Sequence, residues 1–117
     1  MNNTSTFINL TPHAVVVNGV EIPPAEGREP ARLSMDTTQI CQLDGVPITY
    51  TSIGAIEGLP APQPNVFLIV STVVRLATVD RPDVLSPGRL LRDDAGRVVG
   101  CGSLDCSQSA VSRLRQD

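Results

Sequence analysis

Five of the nine arginines, Arg75, Arg81, Arg89, Arg92 and Arg97, fall within one short stretch, and the chain contains no lysine. A guanidinium presents a planar fork of donors that matches carboxylate or phosphate, whereas an ammonium offers a point charge. The pattern points to recognition of a small anion rather than to bond-making chemistry. Its bland source is an arginine-favouring genome. Ser71 is placed to cap a helix beginning at residue 72, where unpaired N–H groups and the positive end of the helix dipole gather. Arg75 lies one turn further on, and Arg92 approaches from a later hairpin. A plain helix cap with a solvated Arg75 accounts for the same residues.

Asn9, Thr11 and His13 alternate along the chain, which puts them on one face of an extended segment. There they can converge on the polar edges of one ligand. His13 is the single histidine, so a histidine-based hydrolase would have to use it, with Ser71, Cys41 or Cys101 as nucleophile. The sequence holds no GxSxG elbow. A histidine bracing the Thr11-Pro12 turn is the plainer reading. Asp93 and Asp94 sit in a turn, where local backbone hydrogen bonding explains aspartate. Asp80, Arg81 and Asp83 read as helix termination and surface ion pairs of little individual worth. Glycine patterns that cradle phosphate or a dinucleotide are missing. Cys41, Cys101 and Cys106 form no CxxC pair, and with one histidine they give no zinc spacing, so neither metal nor cofactor is expected.

These residues must be positioned by a chain of 117 residues, the size of a single domain, here 1–117. A net charge of −3 argues against double-stranded nucleic acid as a partner. Three aromatic side chains, Phe7, Tyr50 and Phe67, make a poor stacking platform for single strands. The opening MNNTST lacks a basic region followed by an apolar run, and Val66–Val70 is too short to span a bilayer. The expectation is a cytoplasmic protein with reduced thiols and no membrane contact.

Asn18-Gly19 between β-branched runs marks a hairpin, because both residues tolerate positive φ. Pro23 and Pro24 end its second strand. Arg28–Ser34 reads as an edge strand interrupted by Pro30. Residues 38–43 and 46–51 flank Asp44-Gly45 in a second hairpin, with Ile40, Val46, Ile48 and Tyr50 alternating as in a half-buried strand. Gly58–Pro64 is an extended connector. Val66–Val70 is apolar throughout and suits a central strand covered on both faces. A helix over 72–79 follows, held by packing rather than propensity, and Pro82 stops it. Residues 90–92 and 97–99 make a third hairpin. The tail 103–117 forms one helical turn after Ser107 or stays flexible. The sum is an α+β fold: an antiparallel sheet of hairpins with one short helix packed on a face.

The segments Asn9–His13, Ile69–Ser71 and Pro87–Gly96 together resemble a group of small phage and actinobacterial proteins. In size and in its late arginines the chain also resembles phage anti-defence sponges that sequester the cyclic ADP-ribose signals of Thoeris immunity. That resemblance implies a non-enzymatic α+β protomer that assembles into a homo-oligomer and binds a small anionic nucleotide without cleaving it. Ser71, Arg75 and Arg92 would then hold phosphate, Asn9, Thr11 and His13 would read the ligand's edges, and Arg113 and Arg115 would build a second site between protomers. The alternative is a structural or interaction module that binds a protein partner through its sheet edge, which the proline-rich edges and apolar connectors suit.

Overall fold

The computed structural model describes residues 5–115; the polar start at 1–4 and the last two residues lie outside the described part. The centre is strand β6 (Val66–Ile69), which lies between β1 (Thr6–Asn9) and β7 (Val84–Pro87), parallel to both. Strand β10 (Leu104–Cys106) completes this four-stranded sheet, antiparallel to β7. The link from β6 to β7 is a crossover through helix α1 (Thr72–Leu76), so the element is a βαβ unit. As expected, β6 is covered on both sides. Leu68 and the following Val70 pack with Leu10, Ala31, Val74 and Val84, while Ile69 packs with Val15 and Cys101 on the other face.

The second layer joins two hairpins. Strands β2 (Val15–Val17) and β3 (Val20–Ile22) turn through Asn18 and Gly19, both at positive φ. Strands β8 (Leu90–Arg92) and β9 (Val98–Cys101) form the other pair, and β2 runs parallel to β9 with Val17 opposite Cys101. Gly100, with φ at +154°, makes that seam possible, since a Cβ there would lie 2.8 Å from the Val16 carbonyl oxygen. Gly100→Ala should therefore cost about 2 kcal/mol and lower the melting temperature by roughly 10 °C, as a strained backbone position or a forced separation does. A melt unchanged within 2 °C, on the order of the effect of a neutral surface change, would show that the seam yields.

Two expectations need correction. The sheets are mixed, with three parallel pairings, rather than antiparallel throughout. Those pairings join residues far apart in sequence, which local turn signals do not encode. Helix α1 stops at Leu76 instead of 79, because the Thr78 hydroxyl bonds back to the Val74 carbonyl oxygen at 2.9 Å and Thr78 N–H to that of Arg75. Of the two alternatives for the tail, the structure has the helical one, α2 (Gln108–Leu114), whose Ala110 is buried and whose Ser109 hydroxyl donates to the Val79 carbonyl at 2.7 Å.

The largest departure is the second hairpin. Strands β4 (Arg32–Leu43) and β5 (Val46–Glu57) each run twelve residues and, among the described residues, pair only with each other. Their turn is the expected Asp44-Gly45, both at positive φ. Residues 28–31 precede β4 as irregular chain rather than as an edge strand. Only the base of the hairpin is anchored, through Leu33 and Ile56 against the core. The remainder projects, and the molecule measures 62 × 39 × 34 Å with a radius of gyration of 17.1 Å. A compact chain of this length would have a radius near ~13 Å.

Candidate functional site

Four of the five clustered arginines, Arg75, Arg81, Arg92 and Arg97, take structural roles. From α1, Arg75 Nε donates to Ser86 Oγ at 2.7 Å, and its Nη1 reaches the Cys106 carbonyl at 3.3 Å and Ser107 Oγ at 3.4 Å. Ser86 and Ser107 are buried, so Arg75 ties the helix to β7, β10 and the start of α2. Ser71 caps α1 by accepting from Val74 N–H at 3.4 Å, as its sequence position implies. Arg92 donates to the Gly96 carbonyl at 2.8 Å within its own hairpin and has no bonding partner in common with Arg75. Arg97 pairs with Asp93, whose carboxylate also accepts the Ala95 and Arg97 N–H groups, which is the turn role expected of Asp93.

The extended face expected of Asn9, Thr11 and His13 does not form: residues 11–13 bend, and the His13 side chain stays outside the cluster that Asn9 makes with Thr11. The buried Asn9 amide donates to the carbonyls of His13 (2.9 Å) and Ile22 (2.8 Å), and its oxygen accepts from Thr11 N–H and Oγ1. The His13 imidazole is exposed, and the network uses only its main chain. This knot fixes the exit from β1 against the β2–β3 hairpin.

Arg81 forms a two-pronged ion pair with the buried Asp83, at 2.9 and 2.8 Å, and also donates to the Pro60 carbonyl. The hydrogen bond to Asp83 raises the Arg81 pKa further above its ordinary value. Asp83 lines an open cleft of about 600 Å³ beside the 62–67 connector and α2. Gln63, Asn65, Phe67, Pro82 and Arg113 also line it. Phe67 contacts Phe7 with ring centres 5.9 Å apart, so two of the three aromatic rings meet at this place. Because Arg81 neutralises Asp83, the cleft does not repel an anion near Arg113. Arg115, just beyond α2, is exposed and does not line the cleft. Gln63, in the proline-rich connector, and Asn65, just after it, carried no sequence signal of a site, and Phe67 stood out only as an aromatic in the apolar run 66–70.

The hairpin offers a different kind of site. Its register places Cys41, Leu43, Val46, Ile48 and Tyr50 on one face of the distal half and Gln42, Pro47, Thr49 and Thr51 on the other. Alternation of this kind writes one face of a ribbon for burial. Yet Leu43 is 61 % exposed, Val46 57 % and Tyr50 62 %. Ile40, Val46 and Tyr50, expected in a half-buried strand, are thus uncovered. Asp44 is the only charged residue between Thr37 and Ile56. Two free edges without lysine or arginine are the sort of surface that monomeric proteins usually blunt. Register shifts near Gln39 and Ser34, together with Pro47, supply what blunting there is.

Comparison with protein-family models, curated proteins and solved structures returned no match. Among the described residues no helix is long and apolar enough to cross a membrane.

Proposed function

We propose that this chain is a non-enzymatic interaction module whose long hairpin is its working surface, holding a protein partner along the sheet edge and apolar face. One observation carries the reading: a two-stranded ribbon of twelve-residue strands, its distal half amphipathic by register, whose apolar face the other described residues leave uncovered. A two-stranded ribbon alone is at best marginally stable in water, and a third strand or a packed face stabilises it. Replacing Leu43 and Tyr50 by aspartate should reduce partner capture more than ~10-fold, since central apolar anchors carry on the order of 2 kcal/mol each. The melting temperature of the body should stay within about 3 °C, because exposed changes remote from the core have small effects. Capture that survives both replacements would refute the reading.

A second reading is favoured by the cleft. Phe67 against Phe7, the amides of Gln63 and Asn65, and Arg113 suit a planar, anionic ligand of the nucleotide class, including a sequestered signal of cyclic ADP-ribose type. Arg113 then replaces Arg75 and Arg92 as the phosphate contact. Ligand at a hundred times its dissociation constant adds about 2.7 kcal/mol, a rise of roughly 10 °C in melting temperature. The panel to measure is cyclic nucleotides and ADP-ribose derivatives, with intact ligand recovered after denaturation. Arg113→Ala should abolish the rise, whereas a rise unaffected by that change places the ligand elsewhere.

A further inference from the structure

We infer that the occupant of the hairpin is a second copy of this chain, received on the outer face of α1. The inference rests on the reading of the hairpin as the working surface and adds the partner. The receiving surface lies on the body. Val74 points α1 into the core, while Val73 and Leu76 on the helix and the following Val79 form an outward apolar stripe, each more than half exposed. One chain therefore carries two uncovered apolar surfaces, one on a projecting ribbon and one on the body from which it projects. The ribbon's two strands are bonded to each other over their full length, and only their base meets the core, so the distal face cannot fold back onto its own helix.

Charge permits the contact. Each copy carries a net charge of −3, but the ribbon between Thr37 and Ile56 has Asp44 alone, at its tip. The one basic group on α1, Arg75, is turned inward to Ser86. The meeting faces themselves are uncharged, with Asp44 at the ribbon tip and the exposed Asp80 beside Val79 at their margins.

Area selects the arrangement. The free part of the ribbon is about 30 Å long and roughly 10 Å wide, a footprint of about 300 Å². Two ribbons laid face to face would bury only about 600 Å² in total, below the ~1,200–2,000 Å² of stable specific interfaces. A reciprocal clasp, in which each copy lays its ribbon on the other's body, uses the footprint twice and buries about 1,200 Å². A two-fold clasp is also closed, so it yields a dimer rather than a filament.

Sedimentation of the purified full chain tests this, with the expected species at twice the 12.4 kDa chain mass. Tyr50→Asp on the ribbon and Leu76→Glu on the helix should each reduce the species to chain mass while retaining a cooperative melt. Cys41 supplies a proximity probe, being free and exposed on the apolar face. Leu76→Cys should give a disulfide-linked dimer under mild oxidation, and Leu76→Cys with Cys41→Ser should not. A wild-type chain that stays monomeric at ~100 μM overturns the second copy, since an interface of standard size holds at that concentration. If that monomer still captures a different protein, and Tyr50→Asp abolishes capture, the hairpin reading stands without the self-contact. A dimer indifferent to Tyr50→Asp, with no capture of any other protein, overturns both.

Discussion

Asn9→Ala should lower stability by about 3 kcal/mol and the melting temperature by more than ~10 °C. The side chain is 2 % exposed and makes four hydrogen bonds, two donated to main-chain carbonyls and two accepted from Thr11. Removing it leaves the Ile22 carbonyl and the Thr11 N–H without those partners. A polar group left unsatisfied in a buried place costs on the order of 1–3 kcal/mol, more than the bond itself contributed. Water entering from the exposed His13 side offsets part of the loss. Asn9→Asp, though close in shape, should fare no better, because it turns an anionic oxygen towards the carbonyls of His13 and Ile22. Thermal melts of both variants decide the matter. A fall of less than ~3 °C in each would show that the turn does not depend on this amide.

Arg75→Ala should cost about 2 kcal/mol, seen as a melting temperature lower by roughly 10 °C. This departs from both sequence readings of Arg75, as a phosphate contact or as a solvated side chain. The guanidinium bonds to Ser86, Cys106 and Ser107, holding three elements at once. Arg75→Lys should restore little, since an ammonium cannot divide its donors along the same fork. The ligand-contact role would be reinstated if Arg75→Ala melted like the wild type yet lost a ligand-induced rise.

The parts of the fold legible in the sequence were those encoded locally. Asn18-Gly19 and Asp44-Gly45 specify their turns because few residues adopt two consecutive positive φ angles. The unbroken apolar run 66–70 required cover on both faces, and Ser71 supplied a cap. The parallel neighbours of β6 were hidden because they lie some sixty residues before it or across a helix. Strand β7 was hidden too, being four residues bounded by Pro82 and closed by Pro87. The length of the β4–β5 hairpin escaped notice because its proximal half is rich in Ser, Thr and Gly. Its distal alternation implies a half-buried face, yet Val46 and Tyr50 are exposed and Ile40 falls at a register shift, because a pattern within one strand says nothing of what covers it.

For the candidate site the same limit applied. The alternating spacing of Asn9, Thr11 and His13 implies one extended face, but the chain bends at 11–13, and Asn9 bonds to Thr11 and to the main chain of His13 instead. Arg75 looked free because its partners lie 11, 31 and 32 residues away. The cleft residues Gln63, Asn65 and Phe67 gain meaning only when α2 brings Arg113 alongside.

The central claim is that the apolar face of the hairpin docks onto another chain. Its most direct test places a photo-cross-linking side chain at Tyr50 and, separately, at Thr51, which the register assigns to opposite faces. Irradiation in the cells that express the protein should give one discrete covalent adduct from position 50 and little from position 51. No adduct from position 50, or equal yields from both positions, would contradict the account.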